Sequence, residues 1–356
     1  MSQKYKKLGK SGMFGEHFRL EKISKQGDPL EKLNSVINWE TFTPVLQKLE
    51  NKDKKSNAGA KPYPFLLMFK ILILQRYYNL SDNQIEYQIL DRLSFGRFLG
   101  ITLNDRVPDE KTVWDFKERM IELELEKELF AVFHSKLEEN GLIAHEGKII
   151  DASFIEMPRQ RNSREENKHI KETGTAPESW ADKPNKERQK DVDARWTIKN
   201  NENHFGYKDH VKVDNKHKFI DTYHTTSASV HDSQALDYLL DIEKDKGKDI
   251  WADSAYNGEE QKKIIEKYQM NNHVHEKGSR NNPLTKEQKD KNNEKSKTRA
   301  RVEHVFGFIE GSMNKFYLNC VGIKRVSAII GLINLTYNLF RYEQLVRLHR
   351  ITMPNY

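Results

Sequence analysis

Cysteine is almost absent from this chain: Cys320 is the only one among 356 residues. A single thiol builds no disulfide framework, no thiolate zinc site and no redox pair, which points to a reducing, intracellular setting. Long apolar runs are missing too. The most apolar stretch, PFLLMFKILIL from Pro64 to Leu74, is about half the length that spans a bilayer and carries Lys70, so it reads as a buried helix. The opening MSQKYKKLGKSG lacks the apolar core of a signal peptide. No glycine-rich phosphate loop occurs, so nucleotide hydrolysis finds no support. His204, His210, His224 and His231 are scattered without a Cys pair or HExxH-type spacing, which argues against zinc.

Charge is what the chain has in quantity. Charged residues make up 32% of it, Lys and Arg number 60 against 53 acidic residues, and the net charge is +7. That balance fits a polyanionic partner without requiring one. Apolar residues, at 36%, suffice for one large core or two modest ones. Residues 1–60 are polar and ambiguous. From 61 to 142 the pattern is helical: a buried helix to about Tyr78, a second capped by Ser81, and a long one opened by Asp109 and running to about Glu139. At Gly147 the character changes. KIIDASFI reads as a buried strand. Between residues 159 and 199, 11 Lys/Arg stand against 8 Asp/Glu with almost no aliphatic residues, the composition of a long surface loop. Two strands joined at Asn215-Lys216 form a hairpin; a helix, the strand DIWADSAY, a helix and the short strand NNHVHEK follow. A basic tract then precedes a helix over KTRARVEHVFGFIEGSMNK, and a strongly apolar helix, SAIIGLINLTYNLFRYEQLVRL, leads to a short tail from 346 to 356. This order predicts an α/β fold: a ribonuclease-H-like mixed-sheet core over 143–345, preceded by an all-helical module.

Three acidic residues sit in apolar company. Asp151 lies within a strand, Asp253 at the end of another, and Glu303 on a helix beside Val302, Val305 and Phe306. Each alone is explained by a cap or a buried ion pair; together, on the first strand, the fourth strand and the following helix, they converge at one end of such a sheet. Hard carboxylate oxygens suit two Mg²⁺ or Mn²⁺ ions, Asp151 bridging and the other two holding one each. Other residues carry two readings. Trp196 and Trp251 either pack or stack on an unpaired base. Lys208 and His210 line a strand face that is either solvated or turned to DNA. His231-Asp232-Ser233 reads as a helix cap. The tract from Arg280 to Arg301 holds 8 Lys/Arg against 3 Asp/Glu, either a solvated face or a grip on a phosphate backbone.

The segments PDEKTVWDF (108–116), IIDASFIE (149–156), DARWTIKNNENHFGYKDHVKVD (193–214), SASVHDSQAL (227–236), WADSAYNG (251–258) and RARVEHVFGFIE (299–310) together resemble the DDE transposases of bacterial insertion sequences, specifically the insertion-sequence-five group and its insertion-sequence-four relatives. The resemblance implies that Asp151, Asp253 and Glu303 are the catalytic, metal-holding residues. It implies further that Arg299, four residues before Glu303, meets DNA phosphate, with Arg301 beside it. Where the family signature has Tyr and Lys, this chain has Ser296 and Glu310; Lys315 is the nearest substitute for the Lys. The implied function is DNA transposition. The helical module would recognise terminal inverted repeats, and the core would cut at the element ends and join the 3′-hydroxyl to target DNA. The implied partners are double-stranded DNA and a second copy of the chain, in a bacterial or archaeal cytoplasm near the nucleoid. Two alternatives stand beside this: a DNA-binding relic acting as a repressor, and a nuclease of the same fold that cuts without joining.

Overall fold

The computed structural model describes residues 14–50, 61–143, 146–199, 201–313 and 317–351. Helices begin well before residue 61. Helix α1 (Gly15–Gln26) is followed by α2 (Pro29–Val36), whose N-cap Asp28 accepts from Leu30 N at 2.9 Å, and by the short α3 (Thr43–Leu46). Leu30, Leu33, Trp39, Phe42, Leu46 and Leu49 are buried. The segment read as merely polar therefore supplies core, because its few apolar residues are spaced to one side of short helices. The apolar run forms α4 (Phe65–Tyr78) as expected. Helix α5 (Asp82–Asp91) opens with a full capping box between Ser81 and Gln84, and α6 (Leu93–Leu99) follows. The single long helix expected after Asp109 is two, α7 (Glu110–Glu122) and α8 (Leu125–Glu139). Glu124, at φ +52°, lies between them and turns the chain.

The sheet begins with β1 (Lys148–Glu156). Helices α9 (Arg164–Thr173) and α10 (Pro184–Gln189) and the strand β2 (Arg195–Lys199) come next, then the hairpin of β3 (Glu202–Asp214) and β4 (Ile220–Ser227). The turns α11 (Leu236–Leu239) and α12 (Ile242–Asp245) lead to β5 (Asp249–Trp251), α13 (Glu259–Lys267) and β6 (Asn271–Asn272). Strand β1 is central. It pairs antiparallel with β3, which pairs antiparallel with β4 and, through its first residues, with β2. On its other side β1 runs parallel to β5, and β5 to β6. The order β4-β3-β1-β5-β6, three antiparallel strands and then two parallel ones, is that of a ribonuclease-H-like sheet.

Alternation along β1 divides its two faces. Ile150 packs with Ile250, Ala252, Leu236 and Tyr256 in a small core under α11 and α13. Ile149 faces the large core, where the sheet meets the helices α15 (Glu303–Ser312) and α16 (Ile323–Arg347); α14 (Lys286–Arg299), which precedes them, adds no buried residue to it. Two expectations fail here. The stretch 158–203 is not structureless: Trp180 is fully buried, its indole N–H donates to Glu166 at 2.7 Å, and Glu166 also closes a capping box with Ser163. One tryptophan and a few charged partners order a segment that has too little aliphatic content to announce itself. The helix over 297–315 is broken as well. The basic tract is itself helical, in α14, and the chain turns through residues 300–302 before α15 starts at Glu303. No described helix is long and apolar enough to cross a membrane.

Candidate active site

Parallel pairing sets the first two carboxylates side by side. Ile149 stands opposite Trp251, so two residues further along each chain Asp151 comes abreast of Asp253 on the large-core face. Asp253 has just left β5 and caps a turn, accepting from Ala255 N at 2.9 Å. Asp151 accepts from Ala152 N at 2.9 Å and from Arg299 Nη1 at 3.0 Å. Burial pushes the Asp151 carboxyl up to about 6, and the Asp253 charge adds to that rise. The Ala152 N–H, Arg299 and Lys199 pull the other way.

Glu303 approaches from the opposite side of Arg299. It opens α15, where a carboxylate is favoured by the helix dipole, and its side chain is 64% exposed. Its oxygen lies 3.6 Å from Arg299 Nη2. The guanidinium thus sits between Asp151 and Glu303, held by two carboxylates, while its Nε is buried without a partner. Among the described residues no three acidic, histidine or cysteine side chains stand close enough together to share one metal ion. The donor set nevertheless suits a hard divalent cation. It offers carboxylate oxygens only, and the repulsion between Asp151 and Asp253 is of the kind that a cation relieves.

The remaining residues singled out in the sequence divide clearly. Lys208 and His210 lie on no solvated or DNA-facing strand surface, because β3 is an interior strand and both are buried. Lys208 Nζ donates to Val230 O and pairs with Asp232, both at 2.7 Å. His210 bonds Thr226 Oγ1 at 2.8 Å, and burial pushes its imidazole down to about 4. Trp251 packs against the backbone of Gly147 and stacks on His273 at 5.2 Å. Trp196 keeps 45% of its surface exposed, with Phe205 at 5.0 Å and the Arg159 guanidinium 5.6 Å from its ring. Arg301 ties α15 to the β3–β4 turn, donating to Asn215 Oδ1 at 2.8 Å and Asn215 O at 3.1 Å. His231 caps the turn that follows it. Ser296 reaches His275 at 3.4 Å, and Glu310 is exposed on α15. Lys315 lies outside the described residues.

Two neighbours of the site carried no signal of their own in the sequence. Lys199, at the end of β2, lies 5.5 Å from the Phe154 ring centre and is near enough to Asp151 to draw its carboxyl down. His275 continues past β6 beside Asp253, its N–H on Ala252 O at 3.2 Å. Burial and the nearby Arg299 and Lys295 charges push it down, while Asp253 opposes them. Lys199 was hidden by the failure to read β2 as a strand; His275 lay in the segment read as a short strand, but nothing local marked its approach to Asp253.

The family described as "Transposase DDE domain" matches residues 144–339, and the family described as "Transposase domain (DUF772)" matches residues 18–119. Among solved structures, a piggyBac transposase synaptic complex with hairpin DNA, determined by cryo-EM, aligns with a TM-score of 0.45 and 12% identity, over 92% of this chain and 77% of that one.

Proposed function

This chain belongs to the DDE-domain transposase family, and on that premise we propose that it is the transposase of an insertion sequence of the insertion-sequence-five group. In this reading it binds terminal inverted repeats, cleaves the phosphodiester bonds at the element ends and joins the freed 3′-hydroxyl to target DNA. The observation that carries the proposal is the register that brings Asp151 abreast of Asp253, with Arg299 on Asp151 and Glu303 on the far side of Arg299.

Transposases of this family use divalent metal ions. Asp151, Asp253 and Glu303 would hold two Mg²⁺ or Mn²⁺ ions, whose chemistry when bound is to activate the attacking oxygen and stabilise the leaving one. The chain's own residues prepare for this. In the free chain burial pushes the Asp151 carboxyl up to about 6, so a divalent cation would bind there in competition with a proton. Arg299 is shared between Asp151 and Glu303 in the free chain, and on turning from them its guanidinium offers paired donors to a phosphate. The exposed α14, with no buried residue, presents its lysines to the DNA backbone. The described helices up to α8 read as the end-recognition module and the sheet with α14–α16 as the catalytic part. Handling both ends together calls for a dimer.

Purified protein incubated with end-bearing DNA and Mg²⁺ or Mn²⁺ tests this. We expect end cleavage and strand-transfer products from the parent and neither from Asp151→Ala. Cleavage with no joined product identifies a plain nuclease. No cleavage by the parent, or cleavage undiminished in Asp151→Ala, removes the enzymatic reading and leaves the DNA-binding relic.

A further inference from the structure

Away from the carboxylates, a cavity of about 480 Å³ opens where the helical part meets the sheet, between the ends of α4 and α7 and the start of α16. Its charge is unbalanced. Arg76, Lys117, Arg188 and Arg325 line it, against Asp82 and Glu118. Lys117 is taken up by Asp82 at 2.7 Å, and Arg325 grips Glu118 through Nε and Nη2 at 2.7 to 3.0 Å. Among the described residues neither Arg76 nor Arg188 has a carboxylate within ion-pair distance. Arg76 is largely enclosed, and that desolvation lowers its pKa while the Asp82 charge opposes it; Arg188 is exposed on α10. An enclosed guanidinium whose nearby carboxylate, Asp82, is already paired with Lys117 is stabilised by an anion supplied from outside. Two aromatic rings flank the opening, Trp114 at 44% exposure and Tyr317 at 48%. Guanidinium groups beside exposed rings are the combination that holds a sugar-phosphate strand.

Position adds to composition. Tyr317 bridges to Glu156 at the far end of β1, and Leu318 N donates to Glu156 O at 3.0 Å. From Asp151 to Glu156 the strand advances roughly 17 Å at about 3.3 Å per residue.

We propose that this cleft is a second DNA contact, in which Arg76 and Arg188 hold backbone phosphates away from the bond being cut. The inference rests on the transposase reading and extends it to a site outside the carboxylates. Transposon-end DNA and target DNA offer the same phosphates, and the test separates them.

The full chain, without divalent metal, is titrated into an end-bearing duplex and a random-sequence duplex over a range of salt concentrations. We expect Arg188→Gln, a surface change, to weaken binding and to make the slope of log K against log salt shallower by about one, and Arg76→Gln with Arg188→Gln by about two. Weakening confined to the end-bearing duplex assigns the cleft to transposon-end DNA, and equal weakening on both assigns it to target DNA. Should Arg76→Gln fail to fold, Arg188→Gln and Trp114→Ala decide. Affinity and slope unchanged in both overturn the cleft while leaving the transposase reading intact. Failure of the parent to bind either duplex overturns the DNA reading itself.

Discussion

Two aspartates on the same face of the sheet show how position gives one residue type different roles. Asp151 lies near the rim with Arg299 as its counter-charge. Asp209, opposite Ser153 on β3, is fully buried with only Asn334 Nδ2, at 3.0 Å, as a donor. Burial pushes its carboxyl up to about 8, the Asn334 bond opposing. From the ordinary carboxylate range up to about pH 8, the folded chain keeps a proton that the unfolded chain has released. The stability tied to this group is therefore fully present below about pH 4 and falls as pH rises, by up to about 1.4 kcal/mol per pH unit. Asp209→Asn removes that titration. Its melting temperature should exceed the parent's at pH 8 and approach it at pH 4 to 5; a constant offset between the two across this range would refute the assignment. Of the catalytic candidates, Asp151 stood out as a carboxylate within an apolar strand, and Asp253 as one just past the end of another. Lys208 and His210 misled, because alternation along β3 reveals which residues share a face but not that the segment after β4 covers it.

At the scale of elements, strong local signals read correctly. Ser81 and Asp109 cap their helices, and the β3–β4 hairpin turns near Asn215. The elements that escaped notice are those whose stability comes from few contacts. The insertion holding α9 and α10 depends on Trp180, whose indole fills its centre while Glu166 meets the indole N–H and Lys186. Trp180→Ala should cost about 3–5 kcal/mol where the contacts are local. The insertion should then open ahead of the sheet, and limited proteolysis should cut within 158–194 while β1 and β3 stay protected from hydrogen exchange. Simultaneous loss of both would mean that the insertion is integral to the sheet. The turn at 300–302 between α14 and α15 likewise eluded a reading by propensity, since no Gly or Pro marks it. It is needed so that Arg299 can lie against Asp151 while Glu303 stays exposed.

Over the whole molecule, α16 is the joint. Its residues from Val326 to Leu345 are almost continuously buried, against the sheet on one side and the helices α4 and α8 on the other. Phe340 stacks on Tyr77 of α4 at 3.7 Å, and Asn338 pairs with both Ile220 N and Ile220 O, at 2.9 and 2.8 Å. One apolar core runs from Leu30 to Leu345 through both parts. A chain ending at residue 321 should therefore lose the helical part along with the sheet, and circular dichroism should show no cooperative melting. A truncated chain that retained a cooperative helical transition would mean that the helical part folds independently.

The residues themselves pointed to the kind of chemistry: carboxylates in apolar company, a basic tract ahead of one of them, one thiol and no phosphate loop. Local pattern, which acts within a few residues, also determined most caps, the hairpin and the order of the strands. Tertiary structure alone decided which carboxylates stand abreast, that Arg299 lies between Asp151 and Glu303, and that Arg76 and Arg188 meet in one cleft. Those outcomes depend on strand register and on the packing of α16 against distant segments. Such contacts join residues far apart in the chain, and no local pattern encodes them.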